Sequence, residues 1–158
     1  LTHTSTSVGE MLEILDLKGV AGIKVSDWNL FFMKQLLEER PDTVVYNGYD
    51  ELVFPGLLTG AAGCIGTWIN LFPELYVFMY KSVREGKINE AMKVYHAFLE
   101  FLCLSWKYGI IPVFEMIMRE MGYAARCFRR PHYHIDAETV KEVMPMLIEK
   151  MKAINGML

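Results

Sequence analysis

The sequence lacks the features of a membrane protein and those of a strongly charged one. None of its apolar runs approaches the ~18 residues that a membrane-spanning helix requires, and no charged segment followed by an apolar one suggests a signal peptide. Its 16 basic and 19 acidic residues nearly cancel, which leaves a net charge of −3. Because so small a charge gives no general attraction to polyanions, we expect a cytoplasmic protein with neither nucleic acid nor membrane as partner.

Cysteine is also scarce, and its spacing does not suggest a disulfide framework. Cys64, Cys103 and Cys127 are odd in number and far apart, which favours packed, reduced thiols over disulfides or a zinc site. His132 and His134 have a spacing that permits metal ligation, but no third ligand is evident near them. We therefore expect a connecting loop at the two histidines, and no metal.

Apolar residues, in contrast, are abundant. They make up 53% of the chain, so that a chain of this length can bury the core of one domain. A basic and aromatic segment lies before the last predicted helix and contains Arg126, Phe128, Arg129, Arg130 and Tyr133. Such a segment permits contact with RNA or phosphate, but the acidic total favours an oligomer contact or salt bridges instead.

Apolar periodicity and turn signals predict alternating strands and helices in the first half of the chain. The predicted strands are residues 19–24, 43–46 and, within a small-residue segment, 60–66. The predicted helices are residues 7–17, 29–40, 51–58 and 72–85. This alternation with short loops indicates an α/β fold with parallel strands and right-handed crossovers.

From residue 88 onward the apolar spacing is only helical. The predicted helices are residues 88–107, 110–121 and 136–154, punctuated by glycines. We therefore expect a strand-and-helix part over residues 1–86 and a helical part over residues 87–158.

Lys24 stands at the end of an apolar run that reads as a short buried strand. Burial disfavours the ammonium form of a lysine, and the neutral amine is the form that attacks a ketone to give a Schiff base. The alternative is a lysine whose ammonium group reaches solvent at the end of the strand. Taken alone, the surrounding segment, residues 22–26, favours the solvent-exposed alternative, because lysine is seldom buried.

Polar or glycine-rich segments follow all three predicted strands. Lys24 and Ser26 follow the first strand, residues 48–51 follow the second, and Gly66 and Thr67 follow the third. In parallel α/β folds, functional groups gather at the carboxyl ends of the strands. Three such segments together therefore indicate an active site at this edge of the sheet.

The same segments resemble a known family. Gly22-Ile23-Lys24 with Ser26, then Tyr46-Asn47-Gly48-Tyr49-Asp50-Glu51, then Gly56-Leu57-Leu58 and Gly63-Cys64-Ile65-Gly66-Thr67 with Asn70, occur here in order. In this order and spacing they resemble the C-terminal half of the pyruvate-dependent class I aldolases, the dihydrodipicolinate synthase and N-acetylneuraminate lyase superfamily. The resemblance covers essentially all 158 residues.

The resemblance implies a (β/α)8 TIM barrel followed by a C-terminal helical bundle. The three predicted strands would be strands 6–8 of the barrel, and residues 1–86 its C-terminal part. Strands 1–5 would then precede this chain and carry the proton-relaying tyrosine and the motif that binds the pyruvate carboxylate. We therefore expect the chain to be part of a longer protein, and the resemblance suggests a homotetramer.

The resemblance also implies a role for each residue of the expected site. Lys24 would form an imine with pyruvate, or with a 2-keto acid, without any other cofactor. Ser26 would hydrogen-bond the substrate, and Gly48 and Gly66 would bring backbone groups close to it.

Residues 49–51 match the sialic acid lyase version of their loop. Tyr49, Asp50 and Glu51 form it, and the two acids are implied to bind hydroxyls of the substrate's tail, as Thr67 would. The alternative is a structural role, in which the two acids cap the following helix, since carboxylates favour helix N-termini. The two roles are compatible.

The choice of substrate depends on a few positions. The synthase would carry an arginine 23 residues before Lys24, where this chain has Leu1. We therefore expect N-acetylneuraminate or a 2-keto-3-deoxy sugar acid as substrate. The bulk of Trp28 and Trp68 would narrow the pocket, which keeps the shorter acid as an alternative. The alternatives are dihydrodipicolinate synthase, which condenses pyruvate with aspartate semialdehyde, and a non-catalytic homologue that acts as a scaffold.

Overall fold

A computed structural model describes residues 6–123 and 134–158 of the chain. The chain forms two compact units, Leu1–Lys87 and Ile88–Leu158. In the first unit the helices and strands alternate in the order α1 Val8–Leu15, β1 Gly22–Val25, α2 Leu30–Glu39, β2 Val44–Asn47, α3 Val53–Thr59, β3 Gly63–Cys64 and α4 Pro73–Arg84.

Helix α1 begins at the residues that its sequence predicts and ends two residues early. The Ser7 hydroxyl accepts the backbone amide of Glu10, and the Glu10 carboxylate accepts the backbone amide of Ser7, which is a complete capping box. Beyond Leu15 the chain turns through Gly19, whose φ is +95°. The first residues of the apolar run belong to this turn and not to a strand. The predicted strand at residues 19–24 is therefore wrong at its start, and β1 begins only at Gly22.

The three strands form one parallel sheet in the order β1-β2-β3, as the alternation of helices and strands predicts. Gly22 lies opposite Val44 and Lys24 opposite Tyr46 in the β1–β2 register. A Cβ atom on Gly22 would overlap the backbone of Val44, so that the close approach of β1 to β2 requires glycine at this position. Strand β3 is only two residues long, much shorter than the predicted segment 60–66.

The two faces of the sheet differ in burial. On one face Val25 and Val45 are buried with Met33 of α2 and with Ala61 in a common apolar cluster. Side chains alternate between faces along a strand, so Lys24 lies on the other face, where it is exposed. The structure thus agrees with the solvent-exposed alternative for Lys24, which lies within β1 and not at its last residue.

Two short 3₁₀ turns interrupt the first unit beside the sheet. Asp50–Leu52 precedes α3, so the helix predicted at residues 51–58 begins as a 3₁₀ turn and becomes α-helical at Val53. Trp68–Asn70 follows β3 and was not predicted. Helix α4 then starts with Pro73 in its first turn, where a missing amide costs no hydrogen bond.

The second unit contains α5 Ile88–Tyr108, α6 Ile110–Glu120 and α7 Ala137–Asn155. Helix α5 packs against both other helices, and its buried side chains recur at helical spacing: Ala91, Val94, Phe98, Phe101, Leu102 and Ser105. The break between α5 and α6 lies at Gly109, with a φ of +88°. Within the described ranges, no single helix meets the length and hydropathy expected of a membrane span, and α5 and α6 meet it only as a pair bent by 106°.

Several further expectations concern residues of this second unit or lie beyond the described ranges. Cys103 is a free thiol, like Cys64 in the first unit. Cys127, His132 and the basic, aromatic segment fall between residues 124 and 133, outside the described residues. Nδ1 of His134 lies 2.8 Å from the buried carboxylate of Glu115. In the part of the chain that is described, no three His, Cys, Asp or Glu residues are grouped as metal ligands would be.

Candidate active site

The carboxyl ends of β1 and β2 bring Lys24, Ser26 and Gly48 into contact. The backbone amide of Gly48 donates to the carbonyl of Val25 over 2.7 Å, which extends the β1–β2 ladder by one step. A Cβ atom on Gly48 would lie 2.7 Å from Cε of Lys24 and would overlap the Ser26 hydroxyl. Only a residue without a side chain therefore lets the lysine and the serine pack against this backbone.

A buried asparagine supports the loop that follows β2. Asn47 is 2% exposed, and its side-chain amide donates to the carbonyl of Tyr49 over 2.6 Å. The backbone carbonyl of Asn47 accepts the amide of Ile65 over 2.9 Å, which ties the loop after β3 to the same residue. Asn47 therefore fixes the course of both loops at this edge of the sheet.

The ring of Tyr49 stacks on the ring of Trp28. Their centroids are 4.8 Å apart and the ring planes are inclined by 30°. Trp28 belongs to the loop after β1, and Tyr49 to the loop after β2, so this contact joins two of the three loops.

Asp50 is buried and holds the loop after β3. One carboxylate oxygen, Oδ2, accepts the backbone amides of Thr67 over 2.9 Å and of Trp68 over 3.3 Å. The other, Oδ1, accepts the hydroxyl of Tyr76, which α4 supplies. The capping interpretation therefore needs correction for Asp50, because the turn whose amides it accepts is Trp68–Asn70 and not the helix that follows it.

The surroundings of Asp50 change the protonation of the carboxyl group and of its tyrosine partner. Burial raises the pKa of Asp50, although the hydrogen bonds from Tyr76, Trp68 and Thr67 oppose this effect. Burial, followed by the nearby charge of Asp50, raises the pKa of Tyr76 far above its ordinary range. Tyr76 therefore acts as a permanent hydrogen-bond donor to the carboxylate.

Gly66 is required by the same carboxylate. A Cβ atom at this position would overlap the Asp50 carboxyl group, whose Oδ2 would lie 2.8 Å away.

Burial raises the pKa of the neighbouring Cys64 thiol to about 12, so that this sulfur is protonated and a poor nucleophile at neutral pH.

The structure thus places all eight residues expected in the site at one edge of the sheet, in two groups. Lys24, Ser26 and Gly48 form the first group, at the ends of β1 and β2. Asp50, Gly66 and Thr67 form the second, where the carboxylate closes the loop after β3. Tyr49 joins the loop of the first group to Trp28, and Glu51 is half-buried in the 3₁₀ turn.

Sequence reasoning missed Asn47 and Tyr76 as residues that shape the site. Asn47 appeared only as part of the segment Tyr46–Glu51, and Tyr76 was not named and fell only within the predicted helix at residues 72–85. A signal for Tyr76 existed in principle, since a buried carboxylate requires donors. Which of the eight tyrosines supplies that donor depends on how α4 packs, and no local pattern gives that.

Comparison with known proteins adds independent information. The model of the Dihydrodipicolinate synthetase family matches residues 1–150. An N-acetylneuraminate lyase from Escherichia coli (strain SMS-3-5 / SECEC) is 29% identical over 153 residues, which are 96% of this chain and 52% of the relative. The chain therefore spans about half the length of the curated relatives that it matches first.

Solved structures agree in fold. The N-acetylneuraminate lyase from Fusobacterium nucleatum complexed with pyruvate superposes with a TM-score of 0.86 at 22% identity, over 96% of this chain and 51% of the other. CdNal from Clostridium difficile in complex with mannosamine superposes with a TM-score of 0.89 at 19% identity, over 95% and 52% of the two chains. With the family model matching nearly its whole length, the chain belongs to the dihydrodipicolinate synthetase family.

Proposed function

We propose that this chain forms the lysine-bearing part of a pyruvate-dependent class I aldolase, in which Lys24 forms the Schiff base. The packing of the Lys24 and Ser26 side chains against Gly48, at the carboxyl edge of a parallel sheet, carries this proposal. The Lys24 side chain stands on the exposed sheet face opposite the apolar cluster, packed against the backbone of Gly48. In a (β/α)8 barrel, which we propose for the whole protein, that face is the barrel interior.

The proposed chemistry uses the lysine amine as an electron sink. The neutral amine of Lys24 attacks the C2 ketone of a 2-keto acid, and loss of water with uptake of one proton from solvent gives an iminium ion. When the substrate's 4-hydroxyl group loses its proton, the C3–C4 bond breaks and its electron pair enters the iminium to form an enamine. An aldehyde departs, C3 of the enamine takes up a proton, and water then hydrolyses the imine to release pyruvate and the free lysine.

The proposed substrates are hydroxylated 2-keto acids, N-acetylneuraminate or a 2-keto-3-deoxy sugar acid. The similarity to N-acetylneuraminate lyases supports this class. Thr67 and the half-buried Glu51 are the proposed ligands for hydroxyl groups of the substrate's tail. Asp50 contributes indirectly, since its carboxylate already accepts three donors from the protein and thereby holds Thr67 in place.

The test is reductive trapping with the protein that contains this chain. We would incubate it with pyruvate, reduce with borohydride and measure the intact mass and the modified peptide. We expect one addition per chain, equal to pyruvic acid less one oxygen atom, on Lys24. The variant Lys24→Ala should gain no adduct, whereas Lys18→Ala, which removes another exposed lysine of the same unit, should be trapped like the wild type.

The other outcomes of this test separate the alternatives. Folded wild-type protein without any adduct contradicts the aldolase proposal and favours the scaffold, for which Lys24→Ala leaves the protein's function intact. A trapped protein that consumes pyruvate with aspartate semialdehyde and ignores sugar acids favours dihydrodipicolinate synthase. We also propose a homo-oligomer, a tetramer by resemblance, which light scattering on the same sample would measure.

A further inference from the structure

The stacked pair of Trp28 and Tyr49 stands at the edge of the sheet where the proposed imine forms. Tyr49 is joined directly to Gly48, the residue packed against Cε of Lys24. Trp28 lies two residues after Ser26, which contacts the same glycine. The aromatic pair therefore bridges the loops after β1 and β2, close in sequence to the two residues, Ser26 and Gly48, that pack together with Lys24.

Hydrogen bonds within the two loops hold this pair in place, and part of the Trp28 ring is exposed. The carbonyl of Tyr49 is held by the buried side chain of Asn47. The loop of Trp28 is held by Asp27, whose carboxylate accepts the amide of Asn29 over 2.8 Å, directly before α2. Trp28 itself is 57% exposed although its ring stacks on Tyr49, so that one part of the ring contacts the protein and the rest stands in the space beside the loops.

We infer that Trp28, held against Tyr49, limits the length of the substrate tail that the Lys24 imine accepts. This inference rests on the proposed function. A tail that extends from C4 must leave the lysine past the loops at this edge, and two stacked rings present a wall there without hydrogen-bonding groups on their faces. The pair therefore favours a shorter 2-keto-3-deoxy sugar acid, such as a six-carbon one, over the nine-carbon N-acetylneuraminate.

The test compares two substrates in the protein that contains this chain. We would measure kcat/KM for 2-keto-3-deoxygluconate and for N-acetylneuraminate in the wild type, Trp28→Gly and Trp28→Phe. The wild type should prefer the shorter acid. In Trp28→Gly the ratio should shift at least about tenfold towards N-acetylneuraminate, a change of the size that removal of a few apolar contacts produces. Trp28→Phe keeps a ring against Tyr49 and should keep the wild-type preference.

Reductive trapping with pyruvate on the same variants separates this inference from the function on which it rests. Trapping should be equal in the wild type and both variants, since Trp28 is not assigned to the imine itself. Trp106→Ala, which removes another exposed tryptophan, is the matched control and should leave the substrate ratio unchanged. With trapping intact, an unchanged ratio in Trp28→Gly, or an equal loss for both substrates, overturns the inference. A wild type that is never trapped overturns the proposed function first.

Discussion

At the scale of single residues, the glycines at the strand ends have a structural requirement as well as a proposed functional one. From the family resemblance, Gly48 and Gly66 are expected to bring backbone groups close to the substrate. In the structure their close neighbours are protein groups, which are Lys24 and Ser26 for Gly48 and the Asp50 carboxyl group for Gly66. A motif can show that glycine is needed at a position, but the neighbour that requires it comes from another strand.

We expect Gly48→Ala to slow imine formation at Lys24 strongly while the protein still folds. The added methyl group must displace Cε of Lys24, the Ser26 hydroxyl and the carbonyl of Val25. We expect a stability loss of about 1–3 kcal/mol, typical of overpacking, and at least a tenfold slower trapping of pyruvate, since a small misplacement of a reacting group is costly. Borohydride trapping rates and urea unfolding measure the two effects.

The matched control is Gly9→Ala on α1, where an added Cβ meets nothing within 4 Å. That change should keep the trapping rate and slightly stabilise the helix, because alanine has the higher helix propensity. Trapping by Gly48→Ala at the wild-type rate would contradict the role assigned to the contact.

The exposure of Lys24 is the alternative that its immediate surroundings favour, but its position within the strand was not predicted. The strand starts three residues later than predicted, at Gly22, and continues to Val25. Strand alternation then turns Ile23 and Val25 towards the helices and Lys24 away from them. The start of the strand depends on the turn at Gly19, which local apolar content does not reveal.

At the scale of elements, the Asp50 carboxylate joins three parts of the first unit. It belongs to the 3₁₀ turn before α3, accepts amides of the Trp68–Asn70 turn and accepts the Tyr76 hydroxyl of α4. The sequence predicted the helices around it, because their apolar spacing and caps are local. It did not predict this connection, because the three parts are separated by up to 26 residues in sequence.

We expect Tyr76→Phe to weaken this connection. The change removes the donor to Oδ1 of a buried carboxylate while keeping the ring that packs in α4. A buried charged acceptor that loses a donor costs about 1–3 kcal/mol, so the free energy of unfolding should fall by that amount in urea titrations. Tyr80→Phe, one turn further along α4, removes a hydroxyl from a half-buried tyrosine and should cost less than about 0.5 kcal/mol. Equal losses in the two variants would mean that the Asp50 contact stabilises nothing.

The short length of β3 was also not predicted from the sequence. Its segment, residues 60–66, is rich in small residues, and glycine and alanine carry little strand preference. Only Gly63 and Cys64 pair with β2, whereas Gly60 takes a φ of +116° to end α3. The parallel direction could still be predicted, because it follows from the helices between the strands and not from strand length.

At the scale of the whole molecule, the class of fold and the order of elements were predictable, whereas the partner of the exposed sheet face was not. Alternating apolar patterns gave the parallel sheet, and continuous helical spacing gave the second unit. The face that carries Lys24 and Tyr46 is exposed in a chain that covers about half of each relative's length. The apolar pattern of this sequence predicts no strand beyond the three of the sheet, and therefore no partner for that face.

Two aspartates in different units make the stability of the whole molecule depend on pH in opposite directions. Burial raises the pKa of Asp50 above the ordinary 3.8. Asp136 caps α7, and hydrogen bonds from Thr139 lower its pKa below 3.8. A raised folded-state pKa contributes stability below pH 3.8 that is lost as the pH rises through the raised value, whereas a lowered one contributes stability above pH 3.8 that is lost as the pH falls through the lowered value.

We therefore expect Asp50→Asn and Asp136→Asn to respond to pH on opposite sides of 3.8. The stability of the wild type relative to Asp50→Asn should fall as the pH rises from 3.8 towards neutrality, and stay level below 3.8. Relative to Asp136→Asn, which keeps an oxygen acceptor at the cap, it should stay level above 3.8 and fall as the pH drops below that value. Urea unfolding of the three proteins between pH 2.5 and pH 7 measures both trends. Parallel curves would show that neither carboxyl group titrates differently in the folded and unfolded states, and curves that fall on the same side of 3.8 would contradict the opposed effects of burial at Asp50 and capping at Asp136.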